Sequence, residues 1–315
     1  MSDHPMLHEH TRPIIATRPI ERLGTAINLA LEDGRRGLDN RGRSGDGKSR
    51  AGEYLRTHTS WLKSPTPMAA VTIPRLSSSS DNVIYRIVQN GMLNVNHKNS
   101  SALDRLNNVV NRIATECSIY ESHQFIFFVD EAQYLSPSDF EYLANVDNRA
   151  NEDGNHVLFV FLSQTDYEDG MSGKCAPKSF TPQVTRRFRM AKHQFKGLYG
   201  VGEVAHALSR YDLAEHEGRS FTEYFAPTAY AAGWRLESEA KKVIKSIEIL
   251  RSRSNLQGEE DIPMAVLEVA IKRLLVNVAA GRVDFNEFSL DDVCAALERA
   301  GYVTLELVRS KQADA

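Results

Sequence analysis

Cysteine is scarce: Cys117, Cys175 and Cys294 lie far apart in 315 residues and form no CxxC pair. That spacing argues against a disulfide framework or a structural zinc site and fits reduced thiols in the cytoplasm. The ten histidines include no HExxH, so a histidine-held catalytic metal is not suggested. No apolar run reaches the roughly 18 residues needed to cross a bilayer. The N-terminus lacks the long apolar stretch of a signal peptide. A cytoplasmic protein without a membrane partner is therefore expected. Neither sign of charge dominates: 38 basic side chains face 41 acidic ones, for a net charge of -3. Nothing overall demands a nucleic-acid partner, although a local basic face would suffice to bind phosphates. No internal repeat is evident.

What is present is an ordinary globular composition, 42% hydrophobic and 25% charged, enough for one substantial core and a smaller one. Residues 1–19 carry Pro5, Pro13 and Pro19 among polar side chains and read as an extended arm. Apolar spacing predicts helices over 20–32, 48–62, 82–93, 101–118 and 138–149. Short apolar runs at 68–73, 125–129 and 157–162 read as strands, with a further candidate at 188–195. Alternation of this kind predicts a mostly parallel sheet covered by helices on both faces. Beyond residue 196 no clear strand pattern remains, and 200–212, 217–231, 236–253, 262–280 and 289–301 are helical in character. The expected fold is α/β: a parallel-sheet nucleotide-binding domain over 20–196, then a small helical domain over 197–303 and a polar tail over 304–315.

The sequence Gly42-Arg-Ser-Gly-Asp-Gly47-Lys48-Ser49 matches the P-loop pattern GxxxxGK[ST] at every fixed position. By chance it would arise in roughly one chain in a hundred of this length, from ordinary residue frequencies. Gly42, Gly45 and Gly47 let the backbone wrap closely, so that the N–H groups of the loop, Asp46 included, converge on a phosphate. The helix starting there offers unpaired N–H groups and a positive dipole end. Lys48 can reach the β- and γ-phosphates of ATP, and the Ser49 hydroxyl can hold Mg2+, with Arg50 following on the same helix. The residues before the loop, 37–41, are mostly polar. Either that strand is short and edge-like, or its register is unusual.

A second carboxylate-bearing element follows 82 residues after Lys48. The run Phe125-Ile-Phe-Phe-Val129 delivers Asp130 and Glu131 at a strand's C-terminal end, where open α/β sheets bind ligands. Asp130 would orient magnesium and Glu131 would polarise the attacking water. The strand over 157–162 ends in polar residues, of which Gln164 or Thr165 could contact the water or the γ-phosphate. Arg186, Arg187 and Arg189 come just before or within the last strand candidate, and Arg187, then Arg186, is the candidate arginine finger for a neighbouring subunit's phosphates.

Together these residues resemble the AAA+ ATPase superfamily, over roughly residues 18–300. In it, an α/β nucleotide domain precedes a helical lid, and ATP lies between subunits of a ring or spiral. Asp130-Glu131-Ala132-Gln133 is similar to the corresponding region of DNA-associated members, and the compact length and N-terminal arm look most like the TnsC/TniB-type transposition regulators. That resemblance implies self-association into a ring or helical filament, binding to double-stranded DNA, and contact with a target-selection protein and a transposase. A helicase loader, or a nucleotide-gated scaffold with negligible hydrolysis, are the alternatives. Arg75, Lys98 and Arg105 lie in the segment that faces the central channel in many such rings, and are the DNA-binding candidates. The late lid helix at 262–270 lacks the phosphate-sensing arginine common in the superfamily. Arg235 is a substitute candidate, and slow, assembly-stimulated turnover fits this departure.

Overall fold

In the computed structural model, which describes residues 4–8, 12–76, 79–93, 100–165, 180–258 and 260–313, the apolar run at 125–129 forms the middle of strand β3 (Gln124–Asp130). All five of its side chains are buried, as an unbroken apolar run on an interior strand requires. With β1 (Gly37–Gly42), β2 (Met68–Thr72), β4 (His156–Gln164) and β5 (Ala191–Gln194) it builds one five-stranded sheet in the order β2-β3-β4-β1-β5. Every pairing is parallel, so each connection must cross over the sheet. The helices that flank the strands in sequence are α1 (Arg18–Glu32), α2 (Lys48–Thr57), α3 (Asp81–Leu93), α4 (Ala102–Ile119), α5 (Pro137–Glu152) and α6 (Pro182–Phe188). Reciprocal Ser–Asp capping boxes start α4 at Ser101 and Asp104 and α5 at Ser136 and Asp139. The expected α/β class with a parallel sheet is what is found.

The chain divides into two compact units. The first, Arg22–Ser44 with Ala51–Phe195, holds the sheet. On one face Phe161 meets Phe140 of α5 at 5.1 Å between ring centroids and Phe188 of α6 at 5.8 Å. Each such fully buried ring contributes on the order of 2–3 kcal/mol by leaving water. On the other face α2 lies close to Leu162 and Phe128. A Cβ added at Gly52 would stand 3.0 Å from Leu162 Cδ1, so glycine sets that approach.

Of the two expectations for the polar strand β1, the edge-like one does not hold: it runs between β4 and β5. Asp39, 4% exposed, is compensated by Arg41 at 2.8 Å and by Arg189 at 3.2 Å, which allows a carboxylate inside the sheet layer. Asn40, one residue on, is fully buried, and its side-chain amide has no hydrogen-bond partner among the described residues. The candidate strand over 188–195 is shorter than expected. Arg186 and Arg187 stand on α6, and β5 begins only at Ala191.

The second unit comprises Met1–Glu21, Gly45–Arg50 and Lys196–Ala315. Its helices are α7 (Gly200–Leu213), α8 (Phe221–Phe225), α9 (Pro227–Ala231), α10 (Ala240–Arg253), α11 (Met264–Arg273), α12 (Leu290–Arg299) and α13 (Tyr302–Ala313). They enclose a core that includes Tyr211, Phe225, Ile247, Leu267 and Leu297. A two-residue hairpin, β6 (Glu215–His216) with β7 (Arg219–Ser220), interrupts the helices where no strand was expected.

Both ends of the chain differ from expectation within this unit. The N-terminal residues that are described do not form a free arm: Pro5–Leu7 make a 3-10 turn, and Met6 and Ile15 join the core. His4 is fully buried in a box of His216, Phe221, Tyr224 and Phe225, with ring centroids 4.5–4.8 Å away. Its Nδ1 accepts the Met6 N–H at 3.2 Å, and burial with His216 nearby holds its pKa down to about 4. At the other end, 304–313 is no polar tail. It continues α13, whose Tyr302, Glu306 and Arg309 are buried.

Candidate nucleotide site

β1 and β4 run in register, pairing Gly42 with Gln164, and the Thr165 N–H donates to the Gly42 carbonyl at 3.2 Å. Next along the sheet, Asp130 of β3 pairs with Leu162 of β4. Gly42, Asp130 and Gln164 therefore gather at the C-terminal edge of one sheet, and Arg43 and Ser44 lead the chain away from it. Gly45 and Gly47 take φ of +81° and +105°, conformations that side chains with a Cβ rarely adopt. Lys48, 7% exposed, then opens α2, while Ser49 is exposed and the Arg50 guanidinium donates to the Arg12 carbonyl at 3.1 Å. Asp46 is buried, and its carboxylate pairs with Arg309 at 2.6 Å.

Directly after β3 the backbone turns sharply. Glu131 has φ +56° and ψ +35°, left-handed backbone that costs a non-glycine residue roughly 1 kcal/mol. Its N–H donates to Asp130 Oδ1 at 3.0 Å, folding the two acidic residues over one another. The Gln133 amide then joins the edges of two strands: Nε2 donates to Glu131 Oε2, and Oε1 accepts the Gln164 N–H at 3.2 Å. Gln133 is 4% exposed, so this brace is shielded from competing water. Strain stored at a carboxylate that is also held from a second strand marks a built position. The sequence shows Gln133 as part of the Asp130–Gln133 run, but no local pattern shows that it reaches β4.

The arginines separate by environment. Arg187 contacts the buried Asp147 at 3.7 Å and donates to the Ala144 carbonyl at 3.2 Å. Asp147 also holds Arg36 at 3.2 Å, and burial still raises its carboxyl above the usual range. Arg186, one position earlier, is exposed and has no polar partner among the described residues. With Arg35, Arg36, Arg187 and Gln183 it lines an open cleft of about 530 Å³. Arg189 is engaged by Asp39 and by the Phe180 ring, 4.2 Å from its guanidinium.

Arg235 lies 3.5 Å from the centre of the Tyr230 ring and donates to the Tyr230 and Trp234 carbonyls, a local closure of the end of α9. Of the basic residues expected to meet DNA, Arg75 is exposed and Lys98 lies outside the described residues. Arg105 is not a surface residue: it is 3% exposed and donates to Asn82 Oδ1 at 2.8 Å and Gln89 Oε1 at 3.0 Å, tying α4 to α3. Among the described residues no helix is long and apolar enough to cross a membrane, and no group of three His, Cys, Asp or Glu residues could hold a metal ion.

No family model and no curated protein matches the sequence. Among solved structures, the chain is similar to the Aeropyrum pernix ORC1 protein in complex with DNA, at 13% identity and a TM-score of 0.43 over 95% of this chain and 87% of that one. Drosophila ORC bound to DNA gives 12% identity and a TM-score of 0.35, over 95% of this chain and 77% of that one. Thermotoga maritima RuvB gives 13% and 0.36, over 93% and 88%.

Proposed function

We propose that the chain is a magnesium-dependent AAA+ ATPase that assembles on double-stranded DNA and regulates transposition, linking a target-selection protein to a transposase. In this reading residues 20–196 are the ATPase core and 197–303 the lid. The observation that carries the nucleotide half is the sheet edge where β1 ends in Gly42, β4 in Gln164 and β3 in Asp130, with Gln133 bracing Glu131. Open parallel sheets bind ligands at that edge.

The residues present fit a magnesium nucleotide. Left-handed Gly45 and Gly47 suit a loop that turns its N–H groups toward phosphate, and Lys48 follows at the helix start. Ser49 and Asp130 would hold the ion together with phosphate oxygens and water, the usual arrangement for Mg2+. Glu131 would polarise water, Gln164 would read the γ-phosphate, and exposed Arg186 rather than engaged Arg187 would complete a neighbour's site. Because Gln133 already engages the Glu131 carboxylate, slow turnover released on assembly is the form of hydrolysis this geometry supports. The same contact supports the scaffold alternative, in which hydrolysis is negligible.

Electron microscopy with duplex DNA and a nonhydrolysable ATP analogue tests the assembly. Rings or filaments that need both ligands are expected, and a chain that stays monomeric with both contradicts the reading. E131Q (Glu131→Gln) should lengthen the lifetime of the assembly in ATP; an unchanged lifetime selects the scaffold.

A further inference from the structure

The glycine-rich loop carries an acidic residue, Asp46, in the stretch of chain expected to meet a polyanion. A carboxylate there opposes phosphate binding unless its charge is cancelled. Its partner comes from α13: Arg309 Nη2 meets Asp46 Oδ1 at 2.6 Å, with side chains 2% and 1% exposed. The pair continues inward. Arg309 Nη1 donates to Glu306 Oε1 at 2.9 Å, and Arg251 of α10 meets Glu306 Oε2 at 3.3 Å. Arg251 also donates to the Tyr302 hydroxyl at 3.3 Å and to the Gly258 carbonyl at 3.1 Å. Two carboxylates and two guanidiniums thus form one buried, charge-balanced row from α10 to the loop. Burying such a row is expensive, so it is weak as a stabiliser and strong as a device that fixes one geometry.

Three further contacts hold the same loop. The Ala265 N–H at the start of α11 donates to the Gly45 carbonyl at 3.1 Å. A Cβ added at Gly45 would stand 3.2 Å from Leu305 of α13, and one at Gly47 would stand 3.3 Å from Met264. The loop is therefore seated on α11 and α13 through backbone, packing and charge at once.

We propose that Arg309 is a positioning residue for the phosphate loop: it cancels the Asp46 charge and fixes the loop, making α13 part of the nucleotide site. This rests on the reading of residues 42–49 as a phosphate loop. Arg309 acts through Asp46 and is not required to touch the nucleotide.

Equilibrium binding of ATP with Mg2+ to the full chain, with the melting temperature of each variant measured alongside, tests it. R309A (Arg309→Ala) should weaken ATP by at least about tenfold, because it leaves a buried like charge beside the phosphates. R309K, which keeps the charge but cannot reach Asp46 and Glu306 with two prongs at once, should fall between wild type and R309A. The double variant D46N/R309A removes both charges and should recover most of the loss. Wild-type affinity in folded R309A overturns the proposal, and so does a double variant as weak as R309A, which would mean a merely structural role. A variant that fails to fold is judged through R309K and the double variant. Wild-type chain that binds no ATP sinks the phosphate-loop reading itself. A K48A loss without an R309A loss sinks only the present inference.

Discussion

Lowering the pH should release the N-terminal segment from the helical unit. His4 is fully buried among four aromatic rings, and its pKa falls from 6.5 to about 4 through burial first and His216 second. A depressed histidine pKa means that the docked segment holds His4 neutral. Its stability is fully present above 6.5 and is lost as pH falls toward 4. Linkage between those two values removes about 2 kcal/mol at about pH 5, roughly a thirtyfold shift in the docking equilibrium, and almost nothing at about pH 7.5. The total over the whole window is at most about 3.5 kcal/mol, at about 1.4 kcal/mol per unit. Hydrogen exchange at Met6 and Leu7, whose N–H groups bond His4 Nδ1 and the His4 carbonyl, reads this directly. After correction for intrinsic rates, protection at both amides should fall between about pH 7.5 and 5. H4F (His4→Phe), which keeps the ring and removes the titration, should flatten the response. Equal protection at the two pH values, or an unchanged response in H4F, would mean that His4 protonation does not control docking of this segment.

Other consequences follow from the same packing. F188A removes a ring with no exposed surface that contacts Phe159 and Phe161, and should lower stability by about 3–5 kcal/mol in a denaturant titration. R187A strips a cation from the buried Asp147 and should cost on the order of 1–3 kcal/mol, whereas R186A at an exposed position should leave the melting temperature unchanged. In the assembled state R186A should instead slow ATP turnover while sparing nucleotide binding; full turnover in R186A would remove it as the finger.

Much of this was legible locally. The five apolar residues before Asp130 announce an interior strand with acidic residues at its end, and the spacing of Gly42, Gly47, Lys48 and Ser49 announces a loop before a helix. The misreadings share one cause: the partner that makes a residue comprehensible is far along the chain. Asp39 makes β1 look unfit for a sheet interior until Arg189, 150 residues later, joins the adjacent Arg41 in balancing its charge. Arg309 and Glu306 read as a polar tail until Asp46, 263 residues before Arg309, gives them a buried role. Arg105 reads as a surface cation, yet Asn82 and Gln89 occupy its guanidinium. Polar residues buried in pairs defeat hydrophobic periodicity, because periodicity registers only that they are polar.

Calorimetric titration of ATP with Mg2+ into wild-type and K48A chains asks whether residues 42–49 bind a nucleotide's phosphates. One ATP per wild-type chain is predicted, with K48A folded and at least about tenfold weaker, a loss of about 1.4 kcal/mol or more. Folded K48A that binds ATP as tightly as wild type would contradict the account.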